Sequence, residues 1–222
     1  MAGYKLVVLS NPMAGREDEY NDWYSNRHLA DILRIPGYCA ARRFVLRTLR
    51  MGAISQKYLA IYEMDVADLT AAHVALNAVG TTEMEISPAL DLEGVATGLF
   101  EPCGELRSTG GPEAGPFLSI AMTDAAEGRE NEFNQWYTNT HIRELIDAGG
   151  HEAAERYRLQ GSTGKAIENR YLALYSLTAR DWAEAEEDMR KAASAHYTPS
   201  DAGRRDNARL AVYETCSPRV TR

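Results

Sequence analysis

The sequence predicts an α+β fold made of two β-α-β-β-α-β units, and three observations predict it. The chain repeats itself at an offset of 113 residues: "NDWYSNRH" from Asn21 to His28 returns as "NQWYTNTH" from Asn134 to His141. Each half carries the same order of strand and helix signals. Between the halves lies "LRSTGGPEAG", rich in Gly, Ser and Pro, which reads as a linker over 106–115. The units are expected at 1–105 and 116–216, with a tail over 217–222.

The elements follow in order. "YKLVVLS" and "FLSIAMT" are short apolar runs suited to strands. A polar turn with Gly15 or Gly128 comes next, then an acidic first helical turn of Glu17, Asp18 and Glu19, or Glu130 and Glu132. Carboxylates there sit favourably at the positive end of the helix dipole. The helix is expected to run through the Trp-Tyr motif to about Leu33 or Ile146, and "RIPGY" stops the first one. "YCAARRFVLRTL" and "HEAAERYRLQ" read as strands, followed by "YLAIYEM" and "YLALYSL". "VADLTAAHVALNAV" and "ARDWAEAEEDMRKAASA" read as second helices, and "VATGLFE" and "ARLAVYE" as last strands. This order is the split βαβ, or ferredoxin-like, unit, with both helices on one face of an antiparallel sheet. Its other face must find a second sheet, which the other half can supply.

The WY…H helix after a first strand, the following "PGY…RRF" and the paired ferredoxin-like halves resemble the dimeric α+β barrel superfamily, most of all its EthD-like branch. The resemblance implies an intrachain α+β barrel. It also implies a range of activities: muconolactone-type isomerases, cofactor-free monooxygenases, haem-degrading enzymes, dehydratases and stress-induced proteins. Some members hold haem through a His, but no CxxCH occurs here.

Composition narrows the partners. With 222 residues and a net charge of -8, the chain lacks the surplus of Lys and Arg that non-specific binding to nucleic acid or an anionic membrane needs. No run long enough for a membrane helix and no signal peptide is seen, so a cytoplasmic protein is expected. Three scattered cysteines give neither a disulfide framework nor a zinc site, and each reads as a small, buried or partly buried hydrophobe. No P-loop, GxGxxG, GxSxG or HExxH is present. No metal and no cofactor is expected.

Strand parity sorts the sheet faces. Val7, Leu9, Leu59 and Ile61 match Ile120, Met122, Leu172 and Leu174, and these bulky residues are expected to pack on the helices. The alternate face mixes Ser10, Ser119, Ala121 and Thr123 with Tyr58, Tyr62, Tyr171 and Tyr175. Small residues among tyrosines suggest a ligand-holding space between the two sheets. Filler tyrosines in a packed interface are the plainer reading.

Asn21, Tyr24 and His28 share one helical face, as do Asn134, Tyr137 and His141. An amide, a phenol and an imidazole in one stripe can polarise a carbonyl and move a proton. Capping and loop-bonding roles fit the same residues. Arg43 and Arg156, at equivalent strand positions, could receive a carboxylate or pair with Glu19 and Glu132.

The function expected is a cofactor-independent isomerase. His28, His141, Tyr24 and Tyr137 are its candidate catalytic groups. Asn21, Asn134, Arg43, Arg156, Tyr58, Tyr171, Tyr62 and Tyr175 are its candidate substrate-binding groups. The substrate class, a small carboxylate from aromatic breakdown, follows from the resemblance. A lyase, a dehydratase, a cofactor-free monooxygenase and a non-enzymatic ligand-binding barrel are the alternatives. A further homodimer is expected.

Overall fold

The computed structural model describes residues 3–82, 84–104, 115–177 and 179–222, with side chains omitted at 79–82. The expected linker, apart from Gly115, lies outside the described residues. The first half runs β1 (Gly3–Ser10), α1 (Glu17–Trp23), a π-helical turn (Tyr24–His28), α2 (Leu29–Leu33), β2 (Tyr38–Met51), β3 (Tyr58–Asp65), α3 (Leu69–Thr82) and β4 (Ala96–Pro102). The second runs β5 (Phe117–Ala125), α4 (Glu130–Trp136), a π-helical turn (Tyr137–His141), α5 (Ile142–Asp147), β6 (His151–Gly161), β7 (Tyr171–Leu177), α6 (Trp182–Ser194) and β8 (Gly203–Thr215). A short β9 (Val220–Thr221), in what the sequence suggested was a tail, pairs with β2.

The local chemistry follows the sequence. Gly15 and Gly128 take φ of 75° and 73° in the turns before α1 and α4, a conformation that suits Gly best. Arg16 pairs with Glu19, and Arg129 with Glu132, across the first helical turns. The first helix of each half does not continue as plain α-helix. It widens to π geometry at the Tyr-x-Asn-x-His segment, which one repeating apolar pattern could not foretell.

The sheet is antiparallel and closes on itself. Its order is β3-β1-β4-β6-β7-β5-β8-β2, and β2 pairs with β3 to complete an eight-stranded barrel. The halves join at two seams, β4 with β6 and β8 with β2. No helix of the described residues is long and apolar enough to cross a membrane.

The expected face assignment is inverted. Val7, Leu9, Leu59, Ile61, Ile120, Met122, Leu172 and Leu174 do not pack on helices; with Phe44, Phe100 and Tyr213 they fill the barrel interior as one core shared by both halves. An eight-stranded barrel is just wide enough for side chains to fill it. The tyrosine face lies outside, beneath the helices. Tyr58, Ala60 and Tyr62 pack with Tyr20, Trp23 and Tyr24, and Tyr171, Ala173 and Tyr175 with Phe133 and Tyr137. The helices bring the large rings, so the strands under them carry small residues.

Candidate functional site

Each half builds the same polar chain under its first helix. In the first, the Tyr58 hydroxyl donates to Glu17, Asn21 Nδ2 donates to the Tyr58 hydroxyl at 2.9 Å, and Arg43 donates to Asn21 Oδ1 at 2.9 Å. In the second, Tyr171 donates to Glu130, Asn134 Nδ2 donates to Tyr171 at 3.0 Å, and Arg156 donates to Asn134 Oδ1 at 2.9 Å. A carboxylate is thereby linked to a buried guanidinium through a phenol and an amide. Burial and the carboxylate bond push Tyr58 up to about 12.

Arg43 and Arg156 are 1% and 3% exposed. Each guanidinium lies over three aromatic rings: Tyr20, Tyr24 and Tyr58 for Arg43, and Phe133, Tyr137 and Tyr171 for Arg156. Each also donates to a hydroxyl, Ser25 at 2.6 Å or Thr138 at 2.9 Å. The pairing with Glu19 and Glu132 does not form, because those carboxylates hold Arg16 and Arg129. Both arginines fasten the π-helical segment to the sheet. The cysteine expectation needs correction at Cys39 and Cys216, which are exposed; Cys103 is half-buried, as expected.

The π turn delivers each His onto its Trp. His28 stacks on Trp23 at 4.5 Å and 26°, and His141 on Trp136 at 4.8 Å and 19°. Tyr24 and Tyr137 meet these imidazoles edge-on. In both, Nδ1 is buried and has no hydrogen-bond partner among the described residues. Burial is the main cause that lowers both imidazoles to about 4, so both are neutral near pH 7.

The halves part company in packing. In the second, a cavity of about 470 Å³ opens between the outer face of the sheet and the α4–α6 side. Ser119, Ala121, Tyr137, His141, His151 and Tyr175 are among its walls. At the same offset the first half carries Leu6, Val8 and Tyr38 in place of Ser119, Ala121 and His151. Leu6 and Tyr38 are fully buried there, in one cluster with Tyr24 and Tyr62, and Val8 packs against it. Three larger side chains thus occupy the volume that is open in the second half. The hollow expected between the sheets lies instead between sheet and helices, and His28 does not line it.

Inside the cavity the Tyr175 hydroxyl donates to Tyr137 at 2.9 Å, which leaves one O–H of the pair to donate elsewhere. Burial raises both phenols above their ordinary range, so both stay protonated. His151 meets Tyr175 edge-on at 5.5 Å, and burial lowers it to about 4 as well. The segment after α6 covers one side. Trp136 donates to the Thr198 carbonyl at 3.0 Å and Glu144 accepts from Thr198, while Tyr197 lies 6.1 Å from His141. Among the described residues no group of three or more His, Cys, Asp and Glu could hold a metal ion.

Of the expected site residues, the cavity brings together His141, Tyr137 and Tyr175. It does not include Asn21, Asn134, Arg43, Arg156, Tyr58, Tyr62, Tyr171 or Tyr24. Sequence reasoning missed His151, Trp136 and Tyr197 as walls. The signal lay in the aligned halves, where Leu6, Val8 and Tyr38 each face a smaller or more polar partner.

Solved structures share this architecture at low sequence identity. An anthrone oxidase-like protein superposes with a TM-score of 0.56 at 7% identity, covering 99% of this chain and 93% of that one. A candidate monooxygenase from Fusobacterium nucleatum subsp. nucleatum gives 0.58 at 9%, covering 100% and 95%. A candidate chlorite dismutase gives 0.52 at 11%, covering 98% and 96%. The fold is that of the ferredoxin-like α+β barrels. No protein-family model and no curated protein matches the chain.

Proposed function

We propose that the chain is an enzyme that moves a proton on a small, mainly apolar, ring-bearing carbonyl compound. The observation that carries this reading is the meeting of a neutral imidazole, His141, and a surplus phenolic proton of the Tyr137–Tyr175 pair in one cavity. A neutral imidazole can take a proton from a carbon next to a carbonyl or linked to it through an unsaturated ring. The electron pair left behind moves onto the carbonyl oxygen, where a phenol donates to the enolate. Return of the proton to a different atom completes a keto–enol or double-bond isomerisation, with no cofactor consumed. His151 is a second neutral imidazole on the same wall. At about 470 Å³ the cavity falls within the range of about 300–1,000 Å³ that holds drug-sized ligands, which suits two or three rings better than a six-carbon acid.

The roles expected of Tyr58, Tyr171, Asn21, Asn134, Arg43 and Arg156 become positioning roles in this reading, since they bond to each other, to Glu17 and Glu130, and to Ser25 and Thr138. His28 and Tyr24 hold the same geometry in the filled half. We read the halves as copies of one ancestral unit, supported by the identical bonding chain at a constant offset. Placement in the EthD-like branch rests on the WY…H helix, the following "PGY…RRF" and the paired halves.

A second reading is favoured by the largely apolar lining and by the names of two similar folds, an anthrone oxidase-like protein and a candidate monooxygenase. The same enolate would react with O2, turning a ring CH2 into C=O with release of one water. Anthrone, a flat three-ring ketone with an acidic CH2, tests both. Exchange of that CH2 with deuterium oxide, followed by NMR without oxygen, reads proton removal; quinone formation in air reads oxygenation. Exchange no faster than in buffer, or unaffected by His141→Gln and His151→Gln together, overturns the proton-transfer role.

A further inference from the structure

The expected carboxylate-binding arginines are buried elsewhere, yet the second-half cavity has arginines of its own. Arg50, Arg204 and Arg205 line it, and all three are exposed, which places them at its mouth. Arg204 is held by Asp206. Arg50 makes only a weak 3.9 Å contact to the Met189 sulfur, and among the described residues neither Arg50 nor Arg205 has a carboxylate within ion-pair distance. Arg205 also faces an adjoining recess with Glu132 and Asp201, but both of those pair with Arg129. The acidic group in the cavity lining, Asp124, already accepts from Asn169, Asn207 and the Arg170 backbone.

Comparison of the halves isolates these cations. At the 113-residue offset Arg50 corresponds to Thr163, Arg204 to Asp91 and Arg205 to Leu92. The arginines stand where the cavity is open and are absent where it is filled. They also oppose the background, since the whole chain carries -8. A local cationic rim on an acidic protein attracts anions only at that spot. Arg50 comes from the far end of β2, which crosses the seam to pair with β8, with Met51 opposite Leu210. The first half therefore completes the second half's site.

We propose that the ligand of this cavity is amphipathic, with an apolar ring body inside and an anionic group at the mouth received by Arg50 and Arg205. This rests on the cavity being the ligand site, as in the reading above, but not on any reaction occurring there.

Two fluorescent probes share one ring system and differ in charge: 8-anilinonaphthalene-1-sulfonate and neutral N-phenyl-1-naphthylamine. Titration of the full chain is expected to show the sulfonate binding about tenfold more tightly, the scale of two exposed charge contacts. Arg50→Ala with Arg205→Ala is expected to abolish that preference and leave the neutral probe's affinity unchanged. Arg180→Ala, which removes an exposed charge outside the cavity, is expected to change neither. Equal affinity of the two probes for the native chain overturns the proposal, as does a preference that survives the double substitution; in both cases neutral-probe binding sensitive to Ala121→Val leaves the cavity reading standing. If neither probe binds, the cavity reading falls too.

Discussion

His141 lies stacked on Trp136, with ring centroids 4.8 Å apart and planes 19° from parallel. The contact fixes the imidazole in the cavity wall and keeps its Nδ1 from solvent. Replacing His141 by Gln keeps a polar group of similar reach but no base. If His141 takes the proton, exchange of an acidic carbon is expected to fall by about 100-fold or more, the range for loss of a general base. Deuterium incorporation followed by NMR checks it, and unchanged circular dichroism confirms that the variant folds.

His28, His141 and His151 are each lowered to about 4 by burial. The unfolded chain takes up these protons below about pH 6.5, while the folded chain refuses them until about pH 4. Stability from this source is therefore whole above about pH 6.5 and drains away between there and about pH 4. Urea unfolding at about pH 7 and about pH 5 is expected to show a loss for the native chain that is smaller by about 1–2 kcal/mol in His28→Gln. An equal loss in both proteins would mean that the His28 imidazole is not held neutral by its burial.

Arg43 satisfies Asn21 and Ser25 with a fork that a lysine cannot reproduce. Arg43→Lys keeps the charge but strands at least one half-buried acceptor, so denaturant unfolding is expected to show a loss of about 1–2 kcal/mol. Arg156→Lys is expected to behave alike. Any variant within about 0.5 kcal/mol of the native chain would show that the fork contributes little.

Ser119→Leu, Ala121→Val and His151→Tyr import the first half's side chains into the second. Together they are expected to close the cavity, abolish probe binding and leave the unfolding midpoint equal or higher, because the first half shows that this packing is viable. The reverse set, Leu6→Ser, Val8→Ala and Tyr38→His, removes buried apolar volume and is expected to destabilise by about 3 kcal/mol or more.

Tyr175→Phe removes one hydroxyl of the phenol pair while keeping the ring. Folding is expected to change by about 1 kcal/mol or less. Turnover is expected to fall about tenfold or more if the pair stabilises an enolate. Parallel assays of activity and thermal unfolding separate the two effects.

The sequence made the element order legible because each strand and helix has its own period, and the 113-residue offset ties Trp23 to Trp136 and His28 to His141. It left the faces of the sheet ambiguous. Parity says which residues share a face but not whether that face meets helices or a second sheet. Ala60 and Ala173, on the tyrosine face, are small because Tyr20, Tyr24, Phe133 and Tyr137 descend on that face from the helices. The site was half legible. His141 and Tyr137, singled out from their spacing, line the cavity, whereas Arg43 and Arg156 lie outside it, since one sequence cannot tell an arginine open to a ligand from one seated among its own tyrosines. His151 stood out as a change between halves, but its meaning needed the neighbouring losses of bulk at Ser119 and Ala121.

Closure of the barrel has a consequence for how molecules of this protein can meet. Each of the eight barrel strands has a neighbour on both flanks, and among the described residues the two-residue β9 is the sole extra. Among the described residues no long row of free amides and carbonyls is offered as a template for strand addition. Self-association into fibres by that route would first require a seam to tear.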